Sequence, residues 1–106
     1  MRPIRFSPDA DDDLERIRRE TRKLWGRVGV ERFDLTLTAR LLSLSVNPRM
    51  GPPRAEIHPD LRSLSLPPFV VLYRVARRSI EIVRVFDGRR DYPSILRVSP
   101  RPTKGD

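Results

Sequence analysis

The sequence predicts an α+β domain. An N-terminal strand and a helical hairpin pack on one face of a small, mainly antiparallel sheet, in the order β-α-α-β-β-β. Three observations carry this. Apolar residues recur at spacings of three and four through two stretches before residue 47. A segment dense in proline and glycine, "NPRMGPPRAEIHPD", then interrupts any regular element. Three short strand-like runs follow it, two of them rich in β-branched or aromatic residues.

"PIRFS", residues 3 to 7, reads as the first strand. Helix-start chemistry follows at once. Ser7 suits the N-cap, Pro8 the first helical position, and Asp9, Asp11, Asp12 and Asp13 the positive end of the helix dipole. Ala10, Leu14, Ile17, Thr21 and Leu24 form one apolar stripe. Gly26 and Gly29 mark a turn, and a second helix is expected from about Val30 to Val46. Phe33, Leu37, Leu41 and Leu44 line its apolar face, and Leu35, Ala39, Leu42 and Val46 are expected to widen it. Trp25, at the end of the first helix, is expected to staple the turn, or else to stand exposed as an interface anchor.

The remaining strands are "LRSLSL" (61 to 66), "FVVLYRV" (69 to 75) and "SIEIVRVF" (79 to 86). The short gap around Arg77 and Arg78 calls for an antiparallel hairpin. "FVVLYRV" is apolar on both faces and is expected to be central. Alternation puts Phe69, Val71, Tyr73 and Val75 on one face, with Val70, Leu72 and Arg74 on the other. It groups Ile80, Ile82, Arg84 and Phe86 against Glu81, Val83 and Val85. Neither strand has a clean polar face. One helix pair can cover one side only, so the other side must be open or covered by something else, and its apolar residues suggest a binding surface. Residues 1–98 are expected to form a single domain, and 99–106 a flexible basic tail.

Composition narrows the chemistry. With 106 residues, 38% hydrophobic, the chain can build one modest core. It has no cysteine, so disulfides and thiolate metal sites are unavailable. One histidine, His58, cannot make a histidine metal cluster, and it is read as structural or solvated. No metal site and no cofactor is expected. No apolar run is long enough to span a membrane, and the N-terminus lacks a signal-peptide core, so the expected location is cytoplasmic. The net charge of +8 favours acidic partners. Apart from Lys23 and Lys104 every basic residue but His58 is arginine, whose planar fork grips carboxylates bidentately.

The stretch "IVRVFDGRRDY" concentrates the chemistry at the end of the last strand. Arg84 either grips an acidic partner or makes a structural ion pair, with Glu81 or Asp91 as candidate mates. Arg89, Arg90 and Asp91 follow a glycine turn on a rigid sheet, a common place for function, or form a solvated strand end. Tyr73 needs a hydrogen-bond partner for its hydroxyl and is chiefly a packing residue.

The order of "FSPDADDDLERI", "WG", "NPRMGPPRAEI", "LRSLSLPPFVVLYRV" and "IEIVRVFDGRRD" resembles the ParE branch of the RelE/ParE toxin superfamily, from about Ile4 to Leu96. The resemblance implies a growth-inhibiting toxin of a type II toxin–antitoxin module. Its expected partner is a ParD-like antitoxin with an acidic C-terminal arm, and its expected target is DNA gyrase. Two alternatives stand beside it: a ribosome-dependent mRNA endoribonuclease of the RelE type, and an inactive relic that only binds antitoxin. RelE-like nucleases carry an arginine where this chain has Val70, and a catalytic tyrosine where it has "PSIL" around Leu96. Tyr92 is near but offset, and the lysines that such nucleases carry before that strand are absent. A metal-free ribonuclease needs proton transfer as well as charge stabilisation, and Arg90 alone cannot supply both.

The expectation is therefore binding without catalytic residues. Arg62, Tyr73, Arg84, Arg89, Arg90, Asp91 and Tyr92 are the candidate antitoxin- or target-binding residues. No sequence-specific nucleic-acid binding by the chain alone is expected. The oligomeric state stays open between a homodimer and a toxin–antitoxin hetero-oligomer.

Overall fold

The computed structural model describes residues 1–89. The elements run β1 (Ile4–Phe6), α1 (Pro8–Val46), β2 (Arg62–Leu66), β3 (Phe69–Val75) and β4 (Ile80–Asp87). The sheet order is β1-β4-β3-β2. β1 runs parallel to β4, and the other two pairings are antiparallel. Interior position is thus shared by β3 and β4.

The N-cap forms as its chemistry dictates. The Ser7 hydroxyl accepts from the Ala10 amide at 3.0 Å, satisfying one of the free donors of the first turn. It also donates to the Val83 carbonyl at 2.7 Å, while the Ser7 amide donates to the Ile82 carbonyl at 2.9 Å. One residue therefore caps the helix and continues the parallel pairing where β1 ends.

α1 is two arms joined at Gly26, whose φ of 67° and ψ of −165° leave the helical region. Only a residue without Cβ visits that conformation freely. The second arm thus begins directly after Gly26, earlier than the expected Val30. Arg18 and Asp34 hydrogen-bond at 2.8 Å. In a straight helix, sixteen residues of rise would separate them by about 24 Å. The chain therefore folds back, as the glycine turn predicts.

Ala10, Leu14, Ile17, Leu37 and Leu44 bury their inner faces against Leu64, Leu66, Val71, Tyr73, Ile80, Ile82 and Val85. Phe33 and Leu41 pack at the margin of this cluster. Phe33 meets Phe69 edge to face, with ring centroids 5.6 Å apart. Leu24 leaves the stripe: it is exposed at the hairpin tip.

Two further expectations are corrected here. Leu35, Ala39, Leu42 and Val46 do not widen the buried stripe; all four are exposed, Leu35, Leu42 and Val46 at 72%, 56% and 69%. Their side of the helix faces away from the sheet, and a helix can present only one stripe to one surface. The far face of the sheet is not an open apolar surface either. Leu61, Leu72, Val83 and Phe86 are buried there in a second cluster, with Ile57 and Val70 packed on it. The proline-rich loop supplies Ile57 and Leu61 to that cluster.

Strand parity also departs from simple alternation. Tyr73 pairs with Ile82 but Leu72 pairs with Arg84, so the register slips by one residue between them. A bulge of this kind inserts an extra residue, here Val83, into β4. Ile82 and Val85 consequently join the same cluster, while Val83 and Phe86 join the other.

Candidate functional site

β1 covers β4 only at Ile80, Glu81 and Ile82. Beyond that point the open edge of β4 is satisfied by the start of α1. The Asp13 carboxylate, 2% exposed, accepts from the Val85 amide at 2.9 Å and from Arg84 Nε at 2.8 Å. Arg84 Nη2 reaches its other oxygen at 3.1 Å, and Arg16 adds a third charged donor, also at 3.1 Å. This is a bidentate arginine–carboxylate pair with its remaining lone pairs used, the geometry that makes a buried charge tolerable. Hydrogen bonding to Asp13 raises the Arg84 guanidinium further above its ordinary value, against the opposing effect of burial.

Arg84 is therefore held from inside the protein by Asp13; of the two mates expected for it, Asp91 lies outside the described residues. Glu81 pairs instead with Arg74, at 2.7 Å. Asp13 went unnoticed among the acidic residues of the first turns. The signal was present: Asp13 lies three residues after Ala10 and four before Ile17, on the apolar stripe. A charge on that stripe and an opposite charge inside an apolar strand point to each other.

Tyr73 is fully buried. Its hydroxyl accepts from the Gly51 amide and donates to the Pro48 carbonyl, both at 2.9 Å. It thus fastens the proline-rich loop to the sheet, and burial pushes its phenol above the ordinary value. This removes Tyr73 from the candidate contact residues: a side chain with no accessible surface cannot touch a partner.

Arg62 holds the same loop from the edge strand. Its Nη1 donates to the Gly51 carbonyl at 2.8 Å and the Arg49 carbonyl at 3.3 Å. Arg49, Arg62 and Arg74 line a polar groove of about 390 Å³ beside Asp60. His58 is exposed nearby and accepts the Asp60 amide on Nδ1 at 3.1 Å.

Arg89 stands at the opposite end of the sheet. Gly88 donates to the Pro68 carbonyl at 2.8 Å, which closes the strand end onto the β2–β3 turn. A Cβ at Gly88 would meet that carbonyl at 3.2 Å and Val70 at 3.1 Å, so the close approach favours glycine. Arg89 then folds its fork onto Asp87, at 2.9 and 2.6 Å, and its side chain stays 81% exposed. The Asp87 hydrogen bond raises its guanidinium above the ordinary value. Asp87 orients this cation without burying it.

Among the described residues, the candidates thus do not form one patch. Arg62 pairs with Tyr73, and Asp87 pairs with Phe69 at the other end of β3. Four residues of strand put these ends about 13 Å apart. Trp25 is 72% exposed beside Leu24 and Val28, the exposed alternative of the two expected for it. Arg90, Asp91, Tyr92, Leu96 and the 99–106 tail lie outside the described residues. Among the described residues, no group of three histidine or acidic side chains could hold a metal ion, and no helix is long and apolar enough to cross a membrane.

The family described as ParE toxin of type II toxin–antitoxin system, parDE, matches residues 4–92. Toxin ParE3 of Caulobacter vibrioides is 40% identical over 53 residues, which are 50% of this chain and 53% of that protein. The chain thus matches about half the length of that relative. A solved structure described as the chromosomal ParDE TA system from P. aeruginosa superposes with a TM-score of 0.69. It covers 82% of this chain and 96% of its own, at 24% identity, a likeness of fold.

Proposed function

The chain belongs to the ParE toxin family of type II toxin–antitoxin systems, and from that membership we propose that it arrests bacterial growth by binding DNA gyrase and is neutralised by a cognate antitoxin. The observation that carries the reading is the extent of the family match, which runs from the start of β1 through the whole described fold. Action by binding fits the site residues. Tyr73 is committed to holding a loop, and Arg84 is committed to Asp13. Neither is presented for proton transfer or phosphate contact.

The exposed cation Arg89, on a strand end fixed by Gly88 and Asp87, is one contact that the described residues offer. Arg90, Asp91 and Tyr92 continue the chain from it. Arginine forks match carboxylates, and an acidic antitoxin arm complements a net charge of +8.

The test is induction of the chain alone in a bacterial host. Growth should stop, and co-expression of the neighbouring antitoxin should restore it. The purified protein should inhibit gyrase in a supercoiling assay and leave mRNA uncut on translating ribosomes. The double variant Arg89→Ala/Arg90→Ala should weaken gyrase inhibition or antitoxin binding while the fold survives. Codon-specific mRNA cleavage that vanishes in that variant would overturn the reading in favour of a nuclease. Unimpaired growth at confirmed soluble expression would leave an antitoxin-binding module.

A further inference from the structure

We propose that the end of the sheet opposite Arg89 is a sequence-independent site for the phosphate backbone of duplex DNA. The topology assembles it. β1 starts beside β4 at Ile4 and Ile80, β3 ends there at Val75, and β2 starts with Arg62 across from Tyr73. Arg2 leads into β1, and Arg77 and Arg78 lie between β3 and β4. Arg74 stands near the end of β3 and Arg62 at the start of β2. Arg49 follows in the loop that Arg62 holds. These arginines thus cross one end of the whole sheet, a width of about 14 Å at the usual strand spacing.

Little of this charge is neutralised. Arg2 Nη1 donates to the Ala76 and Arg77 carbonyls at 2.7 and 2.8 Å, as Arg62 does to those of Gly51 and Arg49. A carbonyl fixes a guanidinium and leaves its charge uncompensated. Arg49, Arg77 and Arg78 are exposed, and among the described residues none of the three has a carboxylate mate. Arg74 differs, being paired with the buried Glu81 at 2.7 Å. Asp60 is the acidic residue lining the groove between Arg49, Arg62 and Arg74.

The chemistry of the row selects the occupant. A protein partner needs apolar or aromatic anchors at the centre of its contact. Exposed large apolar side chains lie on the helical arms and at Met1, on the Arg2 margin; toward Arg49, the neighbouring Leu61, Tyr73 and Ala76 are buried. Single strands are held by bases stacked on accessible aromatic rings, and the ring across from Arg62, Tyr73, is not accessible. Duplex RNA is recognised over about 16 base pairs with contacts to its 2′-hydroxyls, a longer reach than this row has. A DNA duplex hides its bases and presents a phosphate about every 3.4 Å of each strand, so about four phosphates of one strand match the row. Arginine forks bond phosphate oxygens in pairs. Such contacts position a duplex without reading its bases, which makes the site indifferent to sequence.

The inference goes beyond the gyrase reading and is tested in the purified full chain without gyrase. A short labelled DNA duplex of arbitrary sequence, followed by fluorescence anisotropy, should bind at low salt and be released as salt rises. Log K should fall with log salt by about 0.9 per phosphate engaged. Arg77→Ala/Arg78→Ala should flatten that slope by about 1.8, and Arg49→Ala by about 0.9, both with unchanged melting curves. Arg19→Ala/Arg22→Ala removes the same charge from exposed positions on the first helical arm and should match the parent. No binding at low salt overturns the proposal. Equal weakening by the two double variants also overturns it, assigning the binding to net charge alone. Tighter binding of a single strand or of duplex RNA overturns the choice of duplex DNA. A poly-glutamate peptide of equal charge that binds more tightly than the duplex assigns the row to an acidic protein and overturns it as well.

Discussion

Asp13 holds Arg84 across the junction between helix and sheet, oxygen to Nε at 2.8 Å, with the carboxylate 2% exposed. The same carboxylate carries the Val85 amide. Removing it takes the bidentate acceptor from a half-buried guanidinium and the acceptor from a buried N–H together. Asp13→Ala should cost about 3–5 kcal/mol, the range for breaking a buried pair from one side. For a domain of this size that lowers the melting temperature by about ten degrees or more. Denaturant melts of the parent and variant measure it, and a loss below about 1 kcal/mol would show the pair to be dispensable.

Tyr73→Phe leaves the ring and removes two hydrogen bonds to the proline-rich loop. The orphaned Gly51 amide and Pro48 carbonyl should cost about 1–3 kcal/mol. The variant also carries a pH signature. Burial raises the folded phenol above its ordinary value of 10.0. The unfolded chain then loses this proton first, so the stabilisation is full below about pH 10 and is lost as pH rises through the folded value. The gap between parent and variant should narrow above pH 10. A gap constant to the alkaline limit would show that Tyr73 ionises alike in both states. Antitoxin binding per folded molecule should be unchanged.

Gly26 and Gly29 are needed for opposite reasons. Gly26 has a positive φ with nothing within 4 Å of an added Cβ. Gly26→Ala should cost only backbone strain, about 1–3 kcal/mol. Gly29 has ordinary backbone angles, but its Cβ would collide with the Trp25 Cβ and meet Thr21 at 3.3 Å. Gly29→Ala should therefore shift the hairpin tip and change Trp25 fluorescence, while Gly26→Ala should not. Identical spectra from both variants would contradict this division.

Leu35 and Leu37 sit two residues apart on one arm, 72% and 5% exposed. Leu37→Ala should cost about 2–5 kcal/mol, as buried truncations do. Leu35→Ala should stay within about 0.5 kcal/mol of the parent. Equal losses at the two positions would mean that the outer face is packed.

Much of this fold was readable because its local signals agree. Ser7 and Pro8 start the helix, Gly26 turns it, and the 47–60 segment stays irregular, each for the reason its chemistry gives. Three features were not readable. Periodicity placed Phe33, Leu37, Leu41 and Leu44 on the sheet-facing side but merged Leu35, Ala39, Leu42 and Val46 into the same stripe, and only the packing separates the two. Strict alternation placed Arg84 with Ile82 and Phe86, because a one-residue bulge leaves no mark in a uniformly apolar strand. The candidate site was the least legible part. Residues chosen for their chemistry, such as Tyr73 and Arg84, proved to be fastened internally, and only the partners they found across the fold reveal that.

The parallel pairing of β1 with β4 has a consequence for synthesis. Ser7 bonds Val83, 76 residues further along. At about 5–20 residues per second, the leading strand waits several seconds on the ribosome for its neighbour to be made. Until then the hairpin has no floor to rest on, and Asp13 has no arginine across from it. A nascent chain truncated before β4 cannot assemble the fold, so a partner that needs the finished sheet has nothing to bind until β4 is made. An interrupted message therefore yields chains without the parallel strand pair and without the Asp13–Arg84 bond.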